Sequence, residues 1–542
     1  MPTLRSLYLT GALCLTLAGC GQRKDSEANT TPGNKETPLP TPSPVVTPTP
    51  PVTPTPPPTT TPSTETPPPV VTPEVPVVPP PQYAHEWYVS PSGNDSASGA
   101  REAPLRTISK ALSVVGAGDI IRVQSGTYAE QLLIDESVAA GTKDARITLR
   151  GEGTPHIVPI SGPWAMMQVK RPYWTIEGFD IDGKSQRQVA VAFSGNTEGT
   201  VLTGNDIHHG SFGSGVSTDG GAHGITIEKN TIHHFSRDND DSHGIVITPT
   251  SRDITVRDND IHDNSGDSVQ CLGPEGFSND TPAQGVLIEN NHLHDNRENA
   301  TDIKTCHDVT VRGNRMHGFR NSTTSRGEAI VVHYSAKNVV VENNDISDTS
   351  IGVAVGGNRV GPPPNNIRVQ RNRIHGVVAP EGSAMRIENG TDVRVLNNTV
   401  TDVEGFALVV GHGTGGASTN VTVRNNIFAA RSAVSLGGQA PGLKLDNNLY
   451  AQGASFSTAS FFVPGADWVG QSLTVWKQSG QDANSREGGT ALADTTTLAP
   501  GPSAVDQGAD VGLPFCGAAP DVGAVESGCA TPATNTVAGV TE

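Results

Sequence analysis

The sequence predicts an all-β chain: a right-handed parallel β-helix, or solenoid, that follows a disordered Pro/Thr-rich linker. Three observations predict it. Asparagine recurs at 205, 230, 259, 291, 314, 344, 372, 398, 426 and 448, at spacings of 25, 29, 32, 23, 30, 28, 26, 28 and 22 residues. Each is preceded by a short alternating strand such as Ile225-Thr226-Ile227-Glu228, and a second strand such as Gly244-Ile245-Val246-Ile247 comes later in each unit. Aromatics make up only 4% of the chain beside 60 glycines, so the core packs small aliphatic side chains in a regular way. A unit this short cannot bury its own apolar face, so units stack and share one long core. Asparagines stacked in line can hydrogen-bond along the ladder and satisfy turn backbone that would otherwise be orphaned.

In chain order, the first element is residues 1–19. A basic start at Arg5, an apolar run over 7–18 and the site Leu17-Ala18-Gly19-Cys20 resemble a bacterial lipoprotein signal peptide. The run is too short to span a bilayer. Cys20 would become the lipidated N-terminus, which implies an exported lipoprotein of the outer membrane or cell surface, anchored to the membrane rather than threaded through it. Residues 20–82 follow as a lipid-anchored linker. Of the 42 prolines, 21 lie between residues 32 and 81, and proline lacks a backbone donor and has a fixed φ. Such a segment stays extended as a polyproline II stalk, with a reach on the order of 190 Å.

Residues 83–530 form the β-helix domain, and 531–542 a disordered tail. Within the domain, 449–500 depart from the repeat, with Trp468, Trp476 and Asp482-Ala483-Asn484-Ser485 expected to cover the last coil. Of six cysteines, Cys14 leaves with the signal and Cys20 takes lipid. Cys271, Cys306, Cys516 and Cys529 suit two disulfides in an oxidising compartment, most simply Cys271–Cys306 and Cys516–Cys529. The net charge of −18 excludes a nucleic-acid partner, which needs a basic face. A monomer is expected. A histidine three residues after the asparagine, at 208, 233, 262, 294, 317 and 375, invites a metal reading, but the row tracks the repeat with isolated members and is read as a structural or solvent-facing stripe.

The segments Trp87-Tyr88-Val89-Ser90-Pro91-Ser92-Gly93-Asn94-Asp95, Ala103-Pro104-Leu105-Arg106-Thr107-Ile108 and Gly118-Asp119-Ile120-Ile121 resemble the opening of secreted right-handed β-helix polysaccharide lyases, the family nine pectate lyases and their relatives. Ser503-Ala504-Val505-Asp506-Gln507-Gly508 and Ala519-Pro520-Asp521-Val522-Gly523-Ala524-Val525-Glu526 resemble their closing segment. The likeness covers nearly all of residues 86–527. These motifs are specific for fold; activity has to be argued from a site.

A site is sought in the later strand of each unit. Registered on its apolar residues, the inward column runs Val216, Ile245, Val269, Ile303, Ile330, Val353, Met385, Leu408, Val434. The next position points outward and is mostly small or apolar, so Gln270, Lys304 and Arg386 stand out. Two residues before the inward column stand His243, Asp267 and Glu328. Asp302 interrupts a run of small residues, and His333 and Glu388 follow the column by three. The exceptions Asp240, Asp241, Asp267, Glu298, Asp302, Lys304, Glu328 and His333 crowd into the coils of residues 238–335. The plain alternative is a solvated acidic face with Lys304 as counter-ion.

A lyase acting on uronates removes the proton α to a carboxylate that has first been neutralised, commonly by calcium, with lysine or arginine as base. Glu298-Asn299-Ala300-Thr301-Asp302-Ile303-Lys304 and Asp238-Asn239-Asp240-Asp241 resemble the acid-and-lysine coil and the calcium-binding aspartates of the family nine lyases, in a different chain order. The resemblance implies Ca²⁺ held by Asp241, Asp267 and Asp302, Lys304 as a catalytic group, and an acidic polysaccharide as substrate. The strand columns and the acidic patch add Asp240 and Glu298 as candidate calcium ligands, Arg386, Glu328 and His333 as candidate catalytic groups, and Gln270 and His243 as candidate substrate-binding groups. Two other functions stay open. Asp240-Asp241 and His243-Gly244 resemble motifs of polygalacturonases, which would make the protein a glycoside hydrolase with paired carboxylates. A non-catalytic surface carbohydrate-binding protein is the third.

Overall fold

The computed structural model describes residues 82–238, 240–272, 281–357, 361–379, 381–411, 416–457 and 470–529. The predicted signal peptide, Cys20, the linker to residue 81, Asn239, Trp468 and the tail from 530 lie outside the described residues.

Each coil carries three short strands, as in His223–Glu228, Thr231–His233 and His243–Ile247. The first alternates buried Ile225 and Ile227 with half-exposed Thr226 and Glu228, the period of a strand with one wet face. The turn that follows passes through Lys229 at φ +55° and reaches Asn230. The second strand has three residues with one inward side chain, and that side chain stacks in parallel register: Ile207 on Ile232, Ile232 on Ile261, Ile261 on Leu293. The sequence reading gives two strands per unit; the residues after asparagine form a third because their middle residue enters the core. The third strand, Val269–Cys271 or Glu328–Val332 for example, belongs to a face of 13 parallel strands among the described residues. Coil upon coil, these columns enclose one continuous aliphatic core.

The asparagine ladder runs unbroken. Asn230 Oδ1 accepts from both the backbone N–H and Nδ2 of Asn205, each at 3.0 Å, and Asn259 serves Asn230 in the same way. At the last rung, Asn448 N–H donates to Ser485 Oγ at 2.8 Å and Nδ2 to Asp482 Oδ1 at 3.2 Å. A second, shorter ladder through Asn264 and Asn296 lines the next corner.

Both ends of the core are covered. Helix Ile108–Leu112, capped by the Thr107 side chain, buries Ile108, Ala111 and Leu112. At the other end, helix Leu473–Trp476 places Trp476 over Phe456 at 5.1 Å, with its indole N–H on Asp482 Oδ2 at 2.8 Å. The closing segment folds back along the side of the stack: Asp521 C=O accepts from Asn397 Nδ2, and Ala509 C=O from Asn425 Nδ2. Disulfides join Cys271 to Cys306 and Cys516 to Cys529. Among the described residues no helix is long and apolar enough to cross a membrane.

The histidine stripe is structural, but its members are not isolated. Rings of His208, His233, His262, His294 and His317 stack at 4.8–5.2 Å. Most are also paired: His208 Nε2 with Asp180, His233 Nε2 with Asp206, His294 Nε2 with Asp260 and His375 Nε2 with Asp345, at 2.9–3.1 Å. Each aspartate is the first residue of the paired strand one coil away.

Candidate active site

The site lies on the 13-stranded face, where His243–Ile247, Val269–Cys271, Thr301–Ile303 and Glu328–Val332 are consecutive strands. Here the predicted register is corrected. Thr301, not Ile303, pairs with Val269 and with Ile330. Asp302 therefore stands in the outward column beside Gln270 and Val331, and Lys304 moves on by two to the column of His333. Thr301 is fully buried, a β-branched polar residue where an aliphatic was expected. A shift of two keeps inward and outward faces, so the side chains still point away from the core.

His243, Asp267 and Glu298 form one buried group, each offering a ligand or proton-bearing atom within 4.8 Å of the others. Asp267 is completely buried. Its Oδ1 accepts from Asn299 N–H at 3.1 Å and Nδ2 at 2.7 Å, and its Oδ2 accepts from Gln270 Nε2 at 2.9 Å. His243 Nδ1 faces the Asp267 backbone N–H at 2.8 Å and its Oδ2 at 3.2 Å. Burial lowers the affinity of His243 for a proton, yet the Asp267 carboxylate outweighs burial and the net shift is upward. Burial, reinforced by the charges of Asp267 and Asp241, pushes the Glu298 carboxyl up to about 8. Glu298 is thus a protonated acid at neutral pH.

One strand further, Asp302 is the meeting point of His333 and Lys304. His333 Nε2 lies 2.7 Å from its Oδ1 and Lys304 Nζ 3.6 Å from its Oδ2. Burial alone would raise this carboxyl, but its interactions with His333 and Lys304 hold it down at about 2. Asp302 is thus an ionised carboxylate.

The remaining predicted residues lie around this centre. Glu328 accepts from Arg326 Nε at 3.0 Å and Ser325 Oγ at 3.2 Å. Arg326 also reaches Glu388 at 3.3 Å, and Glu388 in turn accepts from Arg386 Nη2 at 2.6 Å. Arg386 is further held by Glu381 at 2.8 Å and stands three strands from Asp302, roughly 14 Å along the stack, so it does not join the reacting group. Asn299, Arg297 and Arg326 were missed in the sequence. Asn299 falls in the same column as His243 and Asp267 once Thr301 sets the register; Arg297 and Arg326 belong to turns, which carry no period.

The residues do not fit the calcium ion that the family resemblance implies. Calcium takes about six to eight oxygen ligands, and the oxygens here are already committed. Asp240 is exposed and paired with Arg237, and Asp241 is 2.5 Å from Arg297 Nη2. Asp302 is held by His333 and Lys304 and Asp267 is filled by amide donors, which leaves Glu298 too few oxygen partners for such an ion.

A family profile described as "Right handed beta helix region" matches residues 171–281 and 278–450, more than half of the chain. A second, described as "Protein of unknown function (DUF1565)", matches residues 91–137. The uncharacterized protein YwoF of Bacillus subtilis (strain 168) is 24% identical over 216 residues, 35% of this chain and 44% of that protein. Among solved structures, the PL6 family alginate lyase AlyGC has 18% identity over 67% of this chain and 54% of its own, with a TM-score of 0.50. The pectate lyase Pel9A has 18% identity over 82% of this chain and 97% of its own, with a TM-score of 0.41. The likeness to polysaccharide lyases is one of fold. Coil geometry, ladder and profile agree, and the chain belongs to the right-handed β-helix family.

Proposed function

We propose that this protein cleaves a uronate-containing polysaccharide by β-elimination on the 13-stranded face. The observation that supports the reading is the convergence of Lys304 and His333 on Asp302, beside a protonated Glu298. The Lys304 ammonium seats and neutralises the substrate carboxylate. Asp302 accepts Nε2–H of His333 and so fixes the tautomer that leaves Nδ1 as the base. Nδ1 takes the proton α to the carboxylate, the C–O bond of the glycosidic link breaks as a C=C bond forms, and Glu298 gives its proton to the departing oxygen. With a carboxylate beside it, Lys304 suits the cationic role better than that of base.

A second reading, glycoside hydrolysis, is favoured by one observation: Glu298 and Asp302 are pushed to opposite protonation states, the division of labour between general acid and general base. Incubation with a panel of polysaccharides separates them. Ultraviolet absorbance of unsaturated uronate, unaffected by chelator, is the expected result. New reducing ends without that absorbance would mean hydrolysis, and binding without either product would leave a carbohydrate-binding role. The proposal places the protein at the outer membrane or cell surface, held by lipid on Cys20.

A further inference from the structure

The histidine strands carry a second group of side chains that the proposed cleavage does not use. His208 and His233 end two adjacent strands, and each is followed by another histidine. His209 and His234 sit at φ +56° and +58°, a left-handed conformation that costs a histidine more than a glycine. The turn brings each ring back to its predecessor: the Nδ1 atoms of His208 and His209 are 2.6 Å apart, and those of His233 and His234 are 2.5 Å apart. Ring stacking along the coils accounts for both columns, His208 on His233 at 5.2 Å and His209 on His234 at 4.9 Å. It does not account for ring nitrogens facing each other across the columns.

The outer partners complete the pattern. Asp180 Oδ1 lies 2.9 Å from His208 Nε2, which pins the proton on Nε2 and aims the Nδ1 lone pair at His209; metal-binding histidines are commonly oriented this way. Asp182, one coil earlier, has Oδ2 2.5 Å from Lys184 Nζ, while its Oδ1 accepts from the Lys184 backbone N–H at 2.8 Å and lies 3.8 Å from His208 Nδ1. Asp182, His208 and His209 each bring one donor atom within 4.8 Å of the others. The same holds for His292, His294 and His317 farther along the face, where the Nε2 atoms of His292 and His317 are 2.8 Å apart. Ligand atoms of a tetrahedral zinc site are roughly 3.3 Å apart, within reach of small rotations of half-exposed rings. Imidazole with one carboxylate, or imidazole alone, selects borderline transition metals over calcium or magnesium.

We propose that this face binds divalent transition-metal ions of the zinc class at two places: Asp182, His208 and His209, with Asp180 as the positioning residue, and His292, His294 and His317. The proposal is independent of the cleavage reaction. The full chain, stripped with chelator, is titrated with Zn²⁺ by calorimetry and with Co²⁺ by visible absorption. Two saturable ions per chain are expected, undisturbed by excess Ca²⁺. The pair His208→Ala with His209→Ala should lose one ion, and His292→Ala with His317→Ala the other. Asp180→Asn should keep both ions but weaken one by about 10–100-fold. His209→Gly removes a ligand while suiting the left-handed turn, so weaker metal binding in a variant that melts no earlier would not be a folding defect. Absence of saturable zinc binding, or both double variants binding two ions as tightly as the parent, overturns the proposal.

Discussion

Asp302 and His333, 31 residues apart in the chain, are joined by a 2.7 Å hydrogen bond because Thr301–Ile303 and Glu328–Val332 pair in parallel. A pair built by strand register rather than by neighbouring sequence is rigid, which suits a base that must hold one tautomer. His333→Ala should reduce turnover by about 10²–10⁴-fold with little change in melting temperature. Asp302→Asn, which keeps the shape and loses the charge, should fall in the same direction and shift the pH dependence. Steady-state kinetics on a polyuronate check both, and full activity in His333→Ala would remove the base from the mechanism.

Glu298 makes a prediction about stability as well as activity. Its carboxyl keeps a proton up to about 8 in the fold, against about 4.3 in an unfolded chain. Between those values the native state holds the extra proton, so stability falls as pH rises through the window. Glu298→Gln has no such proton to lose and should be more stable than the parent at pH above about 8, while cleaving substrate much more slowly. Urea denaturation across pH measures the first effect; a parent whose stability is flat through the window contradicts it.

The ladder should be expensive to interrupt. Asn314 Oδ1 takes both donors of Asn291 at 2.9 Å, and its Nδ2 supplies Ile288 C=O at 3.0 Å. Asn314→Ala strands several buried groups at once and should cost about 3 kcal/mol or more. Asn→Asp at the same rung should cost no less, because one donor becomes an acceptor. Chemical denaturation reads the loss directly.

Cys271 closes a 35-residue span to Cys306 between the strands that carry Gln270 and Asp302. Replacing both cysteines by serine should lower stability by about 2–4 kcal/mol, and the reduced parent should match the double variant. Activity should drop with it, since the tie lies next to the site. Coincident melting curves for parent and double variant would show the tie to be passive.

The proposed lipid anchoring turns on Cys20, outside the described residues. Cys20→Ser should release the protein from the membrane fraction and abolish lipid labelling, leaving cleavage by the soluble product unchanged.

Much of this was legible in the primary structure. The ten asparagines announce the coil because each rung must sit at one corner, whatever the loop lengths between. His243, Asp267 and Glu328 announce a site because they are ionisable where coils outside the patch carry Ser214, Ile351, Ser383 or Phe406. The error at Lys304 arose from Thr301: its methyl enters the core while its hydroxyl disguises it, so Ile303 was chosen as the inward residue. The raised pKa of Glu298 was not legible at all, arising from its own burial together with the charges of Asp267 and Asp241 on other coils.

The closing segment, bound to Asn397 and Asn425 on successive coils and stapled by Cys516–Cys529, acts as a tether across the end of a linear array. In an untethered stack, loss begins at the last rung and proceeds coil by coil, because each unit depends only on its neighbours. Here the terminal coils are clamped to ones deeper inside, so they must detach together. The C-terminal coils gain a cooperative unfolding unit, and with it resistance to proteolysis that starts from a frayed last rung.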